Sequence, residues 1–268
     1  MDLAGLLSAL LMGVVEGLTE FLPISSTGHL ILLGDLIGFE GPPGKVFEIA
    51  IQLGAILAVV MTYWRDLLAI AQGMWRPRTV ERYTAVNLLL AFLPALVIGA
   101  VLHGPITRLL FNPWVVAVAL VLGGAAIILI ERIRPTPSIL SVPEIGPVAA
   151  VLIGFGQVLA MIPGTSRSGA TIITALLLGV ERRTAAEFSF LLAIPTMLAA
   201  TVYSLWKARQ ELDLSGLGLI MVGFAAACAV ALVVIRVVLA FIARIGFTPF
   251  GWYRIVLGGV MLIWLTLR

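Results

Sequence analysis

Charge is what this sequence has least of. Only 12% of its 268 residues are Asp, Glu, Lys or Arg, against about a quarter in soluble domains. Hydrophobic residues make up 61%, and mean hydropathy is +1.13. This balance excludes a soluble globular protein and leaves little chain for a separate soluble domain, so 1–268 reads as one integral membrane domain. The net charge of +3 is small, and the arginines fall between apolar spans rather than in one patch. That excludes a nucleic-acid surface. A single cysteine, Cys228 in "FAAACAVAL", excludes an intrachain disulfide and a cysteine metal cluster. The N-terminal "MDLAGLLSALLMGVVEG" lacks the basic region of a cleaved signal and is expected to belong to the mature protein.

What is abundant is apolar sequence of membrane-crossing length. Stretches of roughly 17–25 apolar residues suit a spanning helix. Phe47–Trp64, Ala85–Leu102, Trp114–Ile130, Ala185–Trp206, Leu217–Ile242 and Tyr253–Leu267 qualify. Two more regions are apolar but broken: Leu3–Ile37 by "LPISSTGH", and Gly146–Gly179 by "IPGTSRSGA". Pro, Gly and clustered Ser/Thr punctuate helices. Each broken region therefore reads as helix, tight turn, helix.

The broken regions resemble each other. "GVVEGLTEFLPISSTG" (Gly13–Gly28) lies without a gap over "GFGQVLAMIPGTSRSG" (Gly154–Gly169), and "FEIAIQLGAILAVV" faces "AEFSFLLAIPTMLAA". The chain reads as two halves, about 1–134 and 143–268, joined by "RPTPSILSVPE". Each half crosses an odd number of times, so the second half is inverted, as in many transporters. Full crossing of the broken regions would leave their turns on opposite faces. Re-entry from opposite sides lets the turns meet near the midplane, where irregular backbone is tolerated if buried or lining a wet cavity. The expected fold is all-α: a polytopic membrane protein of about six transmembrane helices plus two re-entrant helix pairs in an inverted-topology repeat. Arg65, Arg76, Arg78, Arg82, Arg132, Arg134, Arg182, Arg183 and Arg244 collect on one side, against Lys45, Arg108, Lys207, Arg209 and Arg268 on the other. The first side is expected to be cytoplasmic.

Ionisable groups at membrane depth are costly and need a partner or a task. Glu16 and Glu20 share a helix face. Two such carboxylates call for a cation, an arginine or a shared proton, and Mg²⁺ or Ca²⁺ suits oxygen ligands. Structural acids bonded to nearby hydroxyls are the plainer alternative. Ser25, Ser26 and Thr27 either cap the second helix or help its N-terminus hold an anion. His29 follows in the first turn of that helix, whereas His103, at a span end, reads as an ordinary polar group. In "PGTSRSGAT", Gly164 and Gly169 permit close backbone approach, Ser166, Ser168 and Thr171 offer hydroxyls, and Arg167 offers a fork that fits phosphate. Arg167 can equally pair with Glu16 or Glu20. Together these residues suit gripping a phosphorylated lipid head and breaking a phosphoanhydride.

At these motifs the sequence resembles the undecaprenyl-diphosphate phosphatase family of the bacitracin-resistance type. "EGLTEFLPISSTGH" is similar to the family's acid-rich motif and "PGTSRSGATI" to its PGxSRSG motif, with further likeness in "EFSFLLAIP" and "FTPFGWYR". The resemblance implies hydrolysis of undecaprenyl diphosphate to undecaprenyl phosphate, recycling the carrier lipid of peptidoglycan synthesis. It implies a divalent cation and a site opening to the periplasmic or outer face of the bacterial inner membrane. By motif position, Glu16, Glu20 and His29 would be catalytic or metal-associated, Ser26 a candidate nucleophile, and Ser166, Arg167 and Thr171 ligands of the diphosphate. The motif leaves the nucleophile open, and the oligomeric state is open too. A polyprenyl-phosphate flippase is the rival reading, since inverted repeats suit a carrier. The other class of membrane lipid phosphatase is excluded, because the histidine and aspartate it needs would fall on Ile173 and Leu177.

Overall fold

The computed structural model describes residues 3–39, 41, 46–110, 112–208 and 216–267, with backbone alone at 103, 105, 107, 108 and 208. Lys45, Arg209 and Arg268, assigned above to one membrane side, lie outside the described residues, and of Arg108 and His103 only the backbone is described. Eleven α-helices follow in order among the described residues: α1 Leu3–Thr19, α2 Ser26–Ile37, α3 Val46–Thr62, α4 Trp64–Gly73, α5 Val80–Leu110, α6 Pro113–Ile133, α7 Pro147–Val158, α8 Arg167–Leu177, α9 Arg182–Ala208, α10 Leu217–Ile245 and α11 Thr248–Leu267. Five of these, α5, α6, α9, α10 and α11, are long and apolar enough to cross a membrane, and α3 with α4 makes a sixth if that bent pair is one span.

Both broken regions are present as helix pairs, α1–α2 and α7–α8, built from helices too short to count as spans. Two differences from the sequence reading are local. The span expected at Phe47–Trp64 stops at Thr62, and the chain bends by 76° into α4. Past the bend, Arg65, Asp66 and Gln72 alternate with Trp64, Leu67 and Leu68, so α4 carries polar as well as apolar side chains. α5 also runs further than Ala85–Leu102 at both ends.

Without a hydrophobic drive inside lipid, helices associate through close packing at small residues. α1 packs on α10, and α7 packs on α5. At the first seam, a Cβ on Gly13 would come within 2.9 Å of the Gly223 carbonyl carbon. At the second, a Cβ on Gly154 would come within 3.0 Å of the Ala91 carbonyl carbon. Gly13 and Gly154 occupy the same place in the ungapped alignment, and both seams exclude any side chain for the same reason. A further likeness went unnoticed in the sequence. "NPW…VLGG" opens α6 and "TPF…VLGG" opens α11, and these two helices pack along their length. The Asn112 side chain accepts the Val115 N–H at 3.0 Å to start α6, with Pro113 in the first turn.

The joint between the halves is folded rather than loose. Ser138 and Ile139 donate N–H bonds to the Gly179 carbonyl, and the Ile139 carbonyl accepts from Glu181 at 2.8 Å. Ile139 and Val180 form a parallel bridge. Glu144 accepts from the Leu140 N–H and the Ser141 hydroxyl, each at 2.8 Å, and those bonds hold its carboxyl below the usual carboxylate range. The main core lies where α3, α5, α7, α8, α9 and α10 converge, around Phe188, Ile153, Ile172 and Ile235. Phe21, from the first turn, meets Phe190 of α9 edge-on with ring centres 5.2 Å apart. Both are fully buried. Such a pair adds roughly 0.5–1.5 kcal/mol beyond burial, and it anchors the first turn to the second half.

Candidate active site

The two turns meet. The first, between α1 and α2, carries Leu22, Pro23 and Ser25; the second, between α7 and α8, carries Gly164, Thr165 and Ser166. Each ends in a serine with a left-handed backbone: Ser25 has φ 69° and Ser166 has φ 72°. Residues other than glycine rarely adopt such values, and each costs of order 1–3 kcal/mol, a strain characteristic of functional sites. Each serine caps the helix it starts. Ser25 Oγ accepts the Gly28 N–H at 3.4 Å, and Ser166 Oγ accepts the Gly169 N–H at 3.1 Å. The Ser168 hydroxyl then donates to the Leu22 carbonyl at 2.8 Å, tying one turn to the other.

Across this junction runs a chain of polar groups drawn from both halves. Ser26 Oγ donates to Glu20 Oε2 at 2.7 Å. Arg167 Nη2 donates to Glu20 Oε1 at 2.9 Å. Arg167 Nη1 reaches the Ser189 carbonyl of α9 at 2.8 Å, and Ser189 Oγ lies 2.7 Å from Thr171 Oγ1. The side chains of Arg167 and Glu20 are only 9% and 5% exposed. At that burial the ion pair is poorly screened, and removing one partner strands the other.

Glu20, Ser25, Ser26, Thr27, Ser166 and Arg167 line one wall of a cavity of about 400 Å³. Gln52 of α3, Gln157 of α7 and Thr196 of α9 add polar groups. From this polar end the cavity continues between α5 and α9, past Phe92, Ala95, Leu96 and Gly99 on one side and Met197, Ala199 and Ala200 on the other. One end is lined by polar groups, and the remainder is mainly apolar and small side chains, with Tyr203 of α9 the exception.

The other residues singled out in the sequence lie around this wall. Glu16, one helical turn before Glu20, is fully buried, and neither carboxylate oxygen has a hydrogen-bond partner. Unpaired carboxylate oxygens in such a place are costly, and a hard dication, which takes oxygen ligands, is one partner that would meet those of Glu16. Among the described residues no group of three or more His, Cys, Asp or Glu gathers around a metal position, so any further ligands would come from hydroxyls, water or substrate. Ser168 and Thr171 are buried behind the cavity and hold the backbone. His29 does not line the cavity. Its Nδ1 bonds the Ser25 carbonyl at 2.8 Å, its Nε2 bonds the Tyr253 hydroxyl at 2.7 Å, and the two rings lie parallel.

Two residues that hold the site together stand outside the two motifs. Ser189 holds both Arg167 and Thr171, but one serine in a spanning helix gives no signal. Arg254 did give one: it is an arginine inside an apolar span. It is 1% exposed and donates to main-chain carbonyls at both turns and on α6.

Comparison with known proteins shows the family. The family model described as "Bacitracin resistance protein BacA" matches residues 9–260. An "Undecaprenyl-diphosphatase 2" of Paramagnetospirillum magneticum is 53% identical over 98% of this chain and all of its own length. "Undecaprenyl-diphosphatase" proteins of Sphingopyxis alaskensis and Neisseria gonorrhoeae are 50% and 49% identical, covering 97% and 99% of this chain and 98% of each relative. With nearly every residue of the chain inside these matches, it belongs to the bacitracin resistance protein BacA family.

Proposed function

We propose that this protein hydrolyses undecaprenyl diphosphate to undecaprenyl phosphate and inorganic phosphate. In doing so it would recycle the carrier lipid of cell-wall synthesis and confer resistance to bacitracin. The observation that carries the reading is the Ser26–Glu20–Arg167 chain at the polar end of a cavity whose remainder is mainly apolar. A nucleophile bonded to a base that a third group orients is the general pattern of covalent catalysis. The length and curated names of the relatives support the same activity.

The diphosphate enters the polar end with the prenyl chain between α5 and α9. Arg167 turns its fork to the phosphate oxygens, which loosens its hold on Glu20. Ser26 Oγ attacks the terminal phosphorus and passes its proton to Glu20. The bond from that phosphorus to the bridging oxygen breaks, and its electron pair leaves with undecaprenyl phosphate. Glu20 gives that proton up to the departing undecaprenyl phosphate. Water then attacks the phosphoserine and passes a proton to Glu20, the Oγ–P bond breaks, Glu20 returns the proton to Ser26 Oγ, and inorganic phosphate departs. Glu16 and Glu20 would hold a divalent cation, Mg²⁺ or Ca²⁺, which when bound neutralises charge on the phosphate oxygens. Thr27 and Ser25 lie within the same wall and offer further polar contacts. His29 orients the first turn through the Ser25 carbonyl.

The same reading places the protein in the bacterial cytoplasmic membrane with its site opening to the outer or periplasmic face. That placement rests on the arginine-rich side being cytoplasmic. It also takes the two halves as inverted repeats, a view the matching seams at Gly13 and Gly154 support. The test is phosphate release from undecaprenyl diphosphate by detergent-purified protein, with Mg²⁺ or Ca²⁺ and with chelator. We expect metal-dependent release, lost in Glu20→Gln and Arg167→Ala. Well-folded wild-type protein that releases nothing would refute the reading, and translocation in liposomes would then be the activity to measure.

A further inference from the structure

Arg254 lies in α11, away from the cavity wall, yet it is fully buried and forms no ion pair with an acidic side chain among the described residues. Its charge is met by main-chain carbonyls alone. Nη1 donates to Pro23 at 3.1 Å and to Thr165 at 2.8 Å. Nη2 donates to Gly164 at 2.9 Å and to Ala119 of α6 at 3.0 Å. Nε donates to Leu120 at 3.3 Å. All five donors of the fork are used. In the ungapped alignment Pro23 and Gly164 fall at the same position, so the guanidinium takes the equivalent carbonyl from each turn. Those carbonyls lie just before Ser25 and Ser166, the two residues held in the left-handed region.

We infer that Arg254 is a positioning residue that clamps the two turns together. By fixing both carbonyls it fixes the backbone into which Ser25 and Ser166 are strained. That sets the distance between Ser26 and Glu20 on one turn and Arg167 on the other. Lysine keeps the charge but has three donors on a flexible stem and cannot span five carbonyls. α6 leaves room for the fork by placing a glycine beside it: a Cβ on Gly123 would lie 2.7 Å from Arg254 Cζ. Gly123→Ala therefore displaces the guanidinium without removing its charge.

The kinetic part of the test rests on the hydrolase reading; the structural part does not. Arg254→Lys and Gly123→Ala are made in the full chain and purified in detergent. Hydrogen–deuterium exchange is followed at peptides covering the two turns, and kcat and KM are measured with undecaprenyl diphosphate. We expect both turns to exchange faster together, with the middle of α10 unchanged. We expect kcat to fall about 10- to 100-fold, the scale of a displacement near 1 Å, with KM nearly constant. If Arg254→Lys does not fold, Gly123→Ala carries the test. Turns that exchange as in wild type, or loosening at one turn only, would overturn the clamp. So would a wild-type kcat in an active preparation. Wild-type protein without phosphate release would instead remove the hydrolase reading, and the exchange result would still decide the clamp.

Discussion

The Glu20–Arg167 pair allows stability and catalysis to be separated by double substitution. The two side chains are 2.9 Å apart and 5% and 9% exposed. Removing one partner of such a pair leaves an uncompensated buried charge and costs about 3–5 kcal/mol. Glu20→Ala belongs at the lower end, because Arg167 keeps the Ser189 carbonyl at 2.8 Å. Arg167→Ala belongs there too, because Glu20 keeps the Ser26 hydroxyl at 2.7 Å. Removing both charges never strands either one, so the double variant loses about as much as one single variant. The coupling is then about 3 kcal/mol in magnitude, the size of one single-variant loss. Unfolding in mixed micelles by a denaturing detergent reads these differences. Phosphate release read beside them should be lost in all three variants, although the double variant is no less stable than either single one. A coupling below about 0.5 kcal/mol would mean that the pair is not the electrostatic unit described. Activity kept in the double variant would mean that neither residue acts on substrate.

Three further outcomes follow from particular contacts. Gly13→Val and Gly154→Val drive a branched side chain into main chain at equivalent seams, so each should cost more than the roughly 1–3 kcal/mol of ordinary overpacking; the yield of monodisperse protein after extraction reads this, and normal yield would contradict the close approach. His29→Gln should lower kcat by less than about tenfold, the lower bound for losing a general acid or base being roughly a hundredfold, and should leave the shape of the pH–rate profile unchanged; loss of one limb would make His29 a proton carrier. Glu144, held below the usual carboxylate range, stabilises the joint above its ordinary titration near ~4.3, and that contribution is lost as pH falls through its lower folded value. Amide exchange at 138–146 should therefore rise on the acid side in wild type and show no such rise in Glu144→Gln.

Much of the site was legible in the sequence because costly residues stood out against an oily background. Glu20, Ser26 and Arg167 are polar groups in apolar stretches, and the likeness of the two broken regions pointed to turns that meet. Arg254 was missed as a functional group because its partners are carbonyls, which every residue possesses and no motif records. The turn from α3 into α4 was missed because apolar composition continues past the bend: Trp64, Leu67 and Leu68 follow Thr62. The orientation of His29 away from the cavity depends on the phase in which α2 starts. That phase is set by the unusual backbone of Ser25, which a sequence does not display.

Arg254 is one group serving two turns, and this has a mechanical consequence. If each turn had its own arginine, either could shift toward its own side of the membrane and carry its bonds along. A shared fork forbids this, because movement of one turn empties a charge-assisted bond at a fully buried guanidinium. The two turns must therefore hold a single depth, and the reacting phosphorus must be brought to that level. The travelling component is the lipid head, and the protein is the fixed anvil on which it is cleaved.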